Sequence, residues 1–236
     1  MVNIRDARRL VKRDETADSF FGSETSVIVT TTVSDDILDL LRWEDELEII
    51  EKFEPAYHLP ADYSTYDADS AAVREQNITD CMKGTVWMDQ QLQDTSTQVI
   101  PILKGATPFE RDICYRTFDR LGTAYAAFYV AQYFSGGNGI RIGELVKDVT
   151  TIAEEWDGDL ALIGLLSSTF LARMPTTVVA AAGLNGWRKA VEPRESGPEA
   201  MRHRYGRLAR EIATAIPGAS RDDLSRVPQP TGEEDN

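Results

Sequence analysis

The sequence predicts an α/β protein of parallel βαβ repeats, with its sheet arranged as a TIM-type barrel, either incomplete or open. Three observations carry that expectation. Short apolar runs recur at 26–32, 98–103, 159–165 and 177–182, and runs of this length suit strands buried on both faces of a parallel sheet. Stretches with apolar residues at helical spacing lie between them. Glycine, proline and small polar residues stand where strands should end and helices begin. Six strands in all are predicted, fewer than the eight of a complete barrel. The sheet is therefore open, has further strands near its ends, or is completed by a second copy or a partner protein.

Residues 1–25 form a basic opening segment, with Arg5, Arg8, Arg9, Lys12 and Arg13 on a short peripheral helix beside Ile4, Leu10 and Val11. Such a segment pairs with the protein's own acidic surface more often than with phosphate. The first strand follows over 26–32, because Val27 to Thr32 are all β-branched. Ser34, Asp35 and Asp36 open a helix to Leu41, since acidic residues suit a first turn. A second helix covers 43–53. Ala56 to Tyr63 is a short strand stopped by Pro60, with Asp62 just past its end. A long helix over 71–93 turns Val73, Ile78, Cys81, Met82 and Trp87 inward and is interrupted at Gly84.

The next strand, Gln98 to Leu103, exits through Lys104 and Gly105. Thr107, Pro108 and Glu110 then give a cap, a first helical residue and a capping box. Phe109, Ile113, Phe118 and Leu121 mark the buried face of that helix, and Gly122 ends it. A strand over 123–130 leads into a loop containing Gly136, Gly137 and Gly139, whose spacing is not that of a nucleotide fingerprint. Ile142 to Trp156 is an amphipathic helix. Strands follow at 159–165 and 177–182, with a short helix between them reaching Arg173. The core domain spans 26–216 and ends in a basic helix at 198–216. Residues 217–236, polar and containing proline, have the composition of a disordered tail.

Composition limits the function classes. Thirty-nine acidic against 25 basic residues give a net charge of −14, and only six of the basic residues are lysine. This pattern is halophilic in character, an acidic surface suited to concentrated salt, so the acidity reports the solvent more than the ligand. Cys81, Cys114, His58 and His203 are the only cysteines and histidines and show no metal-ligand spacing, so neither a metal nor another cofactor is expected. No apolar segment suggests a membrane span or a leader, and a cytoplasmic location is expected.

Loops at the C-terminal ends of parallel strands carry the chemistry of such folds. Asp62 and Lys104 are accordingly the candidate catalytic pair. An Asx-turn and a solvated strand-end charge are the plain alternatives. Tyr63, Gly105, Gln132 and Asn185 are candidate substrate-binding residues on the same set of loops. Arg202, Arg204, Arg207 and Arg210, on the last helix, are candidate phosphate contacts.

A strand ending in Asp62 comes first, then Val99 to Gly105 followed by an arginine-bearing helix. A strand into a glycine loop, Ala161 to Leu166 and a small-residue strand complete the order. That order resembles the central part of the guanine transglycosylase family, over roughly Ser26 to Val191. The resemblance implies a TIM-type barrel and a 7-deazaguanine pathway, with tRNA, DNA or a free purine base as partner. It also implies a base-recognising role for Asp62, because a carboxylate accepts hydrogen bonds from a purine's ring N–H and exocyclic amine. The chain departs from the family at the chemistry. Lys104-Gly105 stands where the family has Gln-Gly, and no zinc ligands are present. The two catalytic aspartate positions fall in Thr30 to Thr32 and Ala180 to Gly183. Neither threonine nor alanine can attack or stabilise the cationic transition state of glycosidic cleavage.

Three functions follow. The first is a divergent base-exchange enzyme using Asp62 with Asp35 or Asp36, and Gln132 and Asn185 reading the base. The second is a catalytically degenerate barrel that binds a modified base, nucleic acid or protein. The third is a lyase in which Lys104 forms a Schiff base.

Overall fold

The structure, a computed structural model, describes residues 1–66, 68–134 and 140–219. The chain divides into two compact units, Met1–Ala127 and Phe128–Asn236. It is an α/β protein with two four-stranded sheets, in each of which the strand order follows the chain order. Consecutive parallel neighbours are what successive right-handed βαβ crossovers produce.

In the first unit the sheet comprises β1 (Val2–Asn3), β2 (Ile28–Thr30), β3 (Tyr57–Leu59) and β4 (Gln98–Val99), all parallel. The strand β1 was not foreseen: two residues that pair with Val29 and Thr30 carry no periodicity of their own. Around this sheet lie α1 (Ile4–Val11), α2 (Ala17–Phe21), α3 (Asp35–Leu38), α4 (Trp43–Phe53), α5 (Ala71–Leu92) and α6 (Pro108–Leu121). Helix α1 packs on α4 through Ile4, Ala7 and Leu10, and Val29, Ile50, Phe53 and Met88 fill the space beneath them. The basic opening pairs in part with its own helix, where Arg9 meets Asp6 at 2.9 Å.

The predicted strand 98–103 is in fact two. Pro101 has no N–H to donate, so the ladder breaks there. Upstream, the Ile100 N–H donates to the His58 carbonyl at 2.8 Å; downstream, the Pro101 carbonyl accepts from the Ala127 N–H at 2.9 Å. Ile102–Leu103 becomes β5, first strand of the second sheet, followed by β6 (Tyr125–Tyr129), β7 (Asp159–Ile163) and β8 (Val178–Ala182).

The second unit adds a 3-10 turn (Ala131–Tyr133), α7 (Ile142–Glu155), α8 (Ser168–Leu171), α9 (Leu184–Val191) and α10 (Pro198–Ala215). Leu145, Val149, Ile152, Leu160, Leu162 and Val178 are buried in it, and α10 packs against α8 and α9. The helix α9 was not foreseen either. Gly183 and Gly186 both lie against Leu166, where a Cβ would meet its Cβ within 2.9 Å. The glycine loop at 136–139 and most of the expected tail, from 220 on, lie outside the described residues. No described helix is long and apolar enough to cross a membrane.

Capping follows the sequence closely. Thr107 and Glu110 form the capping box of α6, Pro108 takes its first position, and Gly122 closes it at φ 66°. Two residues expected inside are outside: Val73 is 47% and Phe109 64% exposed, each in the first turn of its helix. Gly84 does not interrupt α5, which runs through it unbroken. It is glycine because a Cβ there would come within 2.5 Å of the Ala61 Cβ and 2.8 Å of the Trp43 ring. Alanine favours a helix interior by about 1 kcal/mol over glycine, but overpacking costs about 1–3 kcal/mol. Gly84→Ala should therefore lower the urea midpoint of unfolding, and an increase would show that Trp43 has room to move.

Candidate functional site

The site is built where β3 and β5 end. After Leu59 and Pro60, Ala61 takes a left-handed conformation at φ 51°. A side chain in that region costs about 1–3 kcal/mol and persists only when its surroundings enforce it. They do so here. The Ala61 N–H donates to Glu46 Oε1 at 3.1 Å, and the same oxygen lies 2.7 Å from His58 Nε2. His58 Nδ1 faces the Val29 carbonyl at 3.2 Å, and both His58 and Glu46 are fully enclosed. His58 is thus a core histidine with an oxygen within hydrogen-bonding distance of each ring nitrogen. One residue on, the Asp62 N–H donates to Thr31 Oγ1 at 3.0 Å, and that hydroxyl donates in turn to the Leu59 carbonyl at 3.0 Å.

Lys104 leaves the end of β5 and turns back into the same space. Gly105 allows this with φ 112°, and a Cβ at that position would stand 2.8 Å from the Arg111 amide nitrogen. Lys104 Nζ lies 2.6 Å from Asp62 Oδ1, with the two side chains 11% and 12% exposed. Oδ1 is buried and makes no hydrogen bond of regular geometry, so the ammonium beside it is its compensation. Burial alone would lower the Lys104 pKa; the Asp62 carboxylate leads the groups that outweigh it, and the net direction is upward. Lys104 is therefore an ammonium at neutral pH.

The thiols that border this pair are inert. Burial pushes the Cys81 thiol well up, and pushes that of Cys114 up to about 12. Cys114 instead lies against the Lys104 carbonyl at 3.5 Å. The loop after Asp62 is held from two sides. Ser64 Oγ and Tyr66 OH donate to Asp35 at 2.5 and 2.7 Å, which holds the Asp35 carboxyl below its ordinary range, and Asn77 donates to the Ser64 carbonyl at 2.7 Å. Across the next loop, Arg74 meets Glu110 at 2.9 Å. Burial would raise the Glu110 carboxyl, but the Ala106 N–H, Arg74 and the Thr107 N–H lower it on balance.

Of the residues predicted from sequence, Asp62, Lys104 and Gly105 come together at this one place. Tyr63 is half-buried, and burial pushes its pKa up. The remaining candidates belong to the second unit. Gln132 is exposed and its carbonyl accepts from Arg141 at 2.9 Å; Asn185 is exposed in the first turn of α9. On α10, Arg204 pairs with Glu192 and Arg210 is also engaged, while Arg202 and Arg207 are exposed. Among the described residues, no group of three or more histidine, cysteine or acidic side chains is placed to hold a metal ion.

Sequence reasoning missed Thr31 and Glu46. A signal for Glu46 was present, since positions 46, 49, 50 and 53 form one buried helical stripe, with an acid in its first place.

The pair itself is open to test. Removing one partner of a buried ion pair costs about 3–5 kcal/mol, because the other charge is left uncompensated. Lys104→Met should destabilise by roughly that amount, and Asp62→Asn/Lys104→Met should recover much of the loss in urea unfolding. The Lys104 pKa is raised on folding, so its contribution is complete below the unfolded value near 10.5 and disappears as pH rises through the folded value. Wild-type stability should therefore fall more steeply above pH 10.5 than that of the double variant. No protein-family model matches the chain, and no curated protein is similar to it.

Proposed function

We propose that the protein is a guanine-transglycosylase-like α/β barrel that recognises a guanine-type base at the Asp62–Lys104 pair without exchanging it. The observation that carries this reading is an ammonium and a carboxylate 2.6 Å apart at the ends of two strands. Guanine offers acceptors at O6 and N7 and donors at N1 and its exocyclic amine. With Lys104 on Oδ1, the second carboxylate oxygen takes the base's N–H donors, and the ammonium donates to O6. An adenine, lacking the N1 donor and the O6 acceptor, offers the carboxylate its exocyclic amine alone, one N–H donor fewer than guanine.

Exchange needs a further carboxylate to attack or stabilise the sugar cation. Thr30, Thr31 and Thr32 stand at the end of β2, and Thr31 is spent on the Leu59 carbonyl and the Asp62 amide. Asp35 accepts from Ser64 and Tyr66. These arrangements favour binding over catalysis. The Schiff-base reading is disfavoured separately, because a lysine held as ammonium is not a nucleophile.

Calorimetric titration with guanine and with 7-deazaguanine tests the reading. Binding to the wild type is expected, with a loss of about tenfold or more in Asp62→Asn, as for a charge-assisted hydrogen bond. Labelled guanine should not enter tRNA or DNA in the protein's presence, and borohydride should not trap a carbonyl compound on Lys104. Absence of binding would overturn recognition, and measurable exchange would restore the enzyme.

A further inference from the structure

We propose that the groove between α5 and α6 is a second ligand site, made for a planar aromatic group that carries a phosphate, the chemistry of a nucleoside monophosphate. The groove is open to solvent and offers about 540 Å³, inside the range of roughly 300–1,000 Å³ usual for small-molecule sites. Trp43 and Trp87 form its aromatic part, with ring centroids 5.9 Å apart, planes tilted by 33°, and both rings half-buried. Lys83, Arg116 and Arg120 supply the charge, and no acidic side chain lines the groove. These three cations line one groove in a chain of net charge −14.

The cations are available to a ligand. Lys83 meets Asp80 at 2.9 Å and Arg116 meets Asp112 at 3.2 Å, each one turn away on its own helix, and all four side chains are about a third or more exposed. Exposed pairs of this kind contribute little and yield to a phosphate, which a guanidinium grips through two parallel hydrogen bonds. Indole faces accept any base by stacking, which needs no hydrogen-bond match and so does not select guanine. The groove and the Asp62–Lys104 pair therefore ask for different chemistry, and adenosine monophosphate separates them.

The test is a titration of the whole protein with adenosine monophosphate, read by intrinsic tryptophan fluorescence and by calorimetry, with adenosine and inorganic phosphate as partial probes. The expected result is saturable quenching that Trp87→Phe reduces, with weaker binding of either partial probe. Arg116→Glu/Arg120→Glu, two changes at exposed positions, should weaken binding by at least about tenfold while leaving the urea midpoint in place. Asp62→Asn/Lys104→Met, which removes the strand-end pair without leaving one charge unpaired, should leave the affinity for adenosine monophosphate unchanged. No saturable quenching at millimolar ligand would overturn the proposal. So would an affinity indifferent to the double reversal, or one abolished by Asp62→Asn/Lys104→Met, which would place the ligand at the strand-end pair instead.

Discussion

One buried carboxylate oxygen, Oε1 of Glu46, holds the loop on which the rest of the site depends. It accepts from the His58 ring and from the Ala61 amide together, and so fastens α4 to β3 and to the residue beyond it. Ala61 would otherwise relax from its left-handed conformation, and Asp62 would swing with it. Gly84 completes the restraint from α5, because the space a Cβ would need is already filled by Ala61 and Trp43. A helix, a strand and a second helix thereby converge on Ala61. Such over-determination is what keeps a strained residue in place at a functional site.

The same economy explains the charge pair. A buried ion pair is poor evidence for stability, since desolvation offsets most of its attraction. Lys104 and Asp62 are both nearly enclosed, and each comes from a different strand end. Fold stability alone would be served as well by two apolar side chains of similar volume. Retaining both charges fits recognition, where one donor and one acceptor at a fixed separation select a ligand edge.

Much of this was legible in the sequence, for reasons that differ by element. The α6 cap, box, first proline and closing glycine follow from local chemistry, and all four are where residues 107–122 put them. The positions of Asp62 and Lys104 past the ends of apolar runs follow from strand length and punctuation. The two-residue strand β1 was not legible, because its only definition is its partner β2. Gly84 was misread because a glycine that makes room for a neighbour and a glycine that interrupts a helix look alike before the neighbour is known. Val73 and Phe109 share the helical period of buried residues, yet they sit in first turns, where the period continues past the end of the contact. Glu46 was hidden differently, since a single acid among eleven residues of an acid-rich helix reads as solvated until burial shows which one faces inward.

Pro101 has a consequence for the neighbour it faces. The Ile100 N–H bonds to His58 on one side and the Pro101 carbonyl accepts from Ala127 on the other, as successive residues of an extended strand do. On the Ala127 side the proline carbonyl finds a donor but its ring offers none in return, so that contact is fastened from one direction alone.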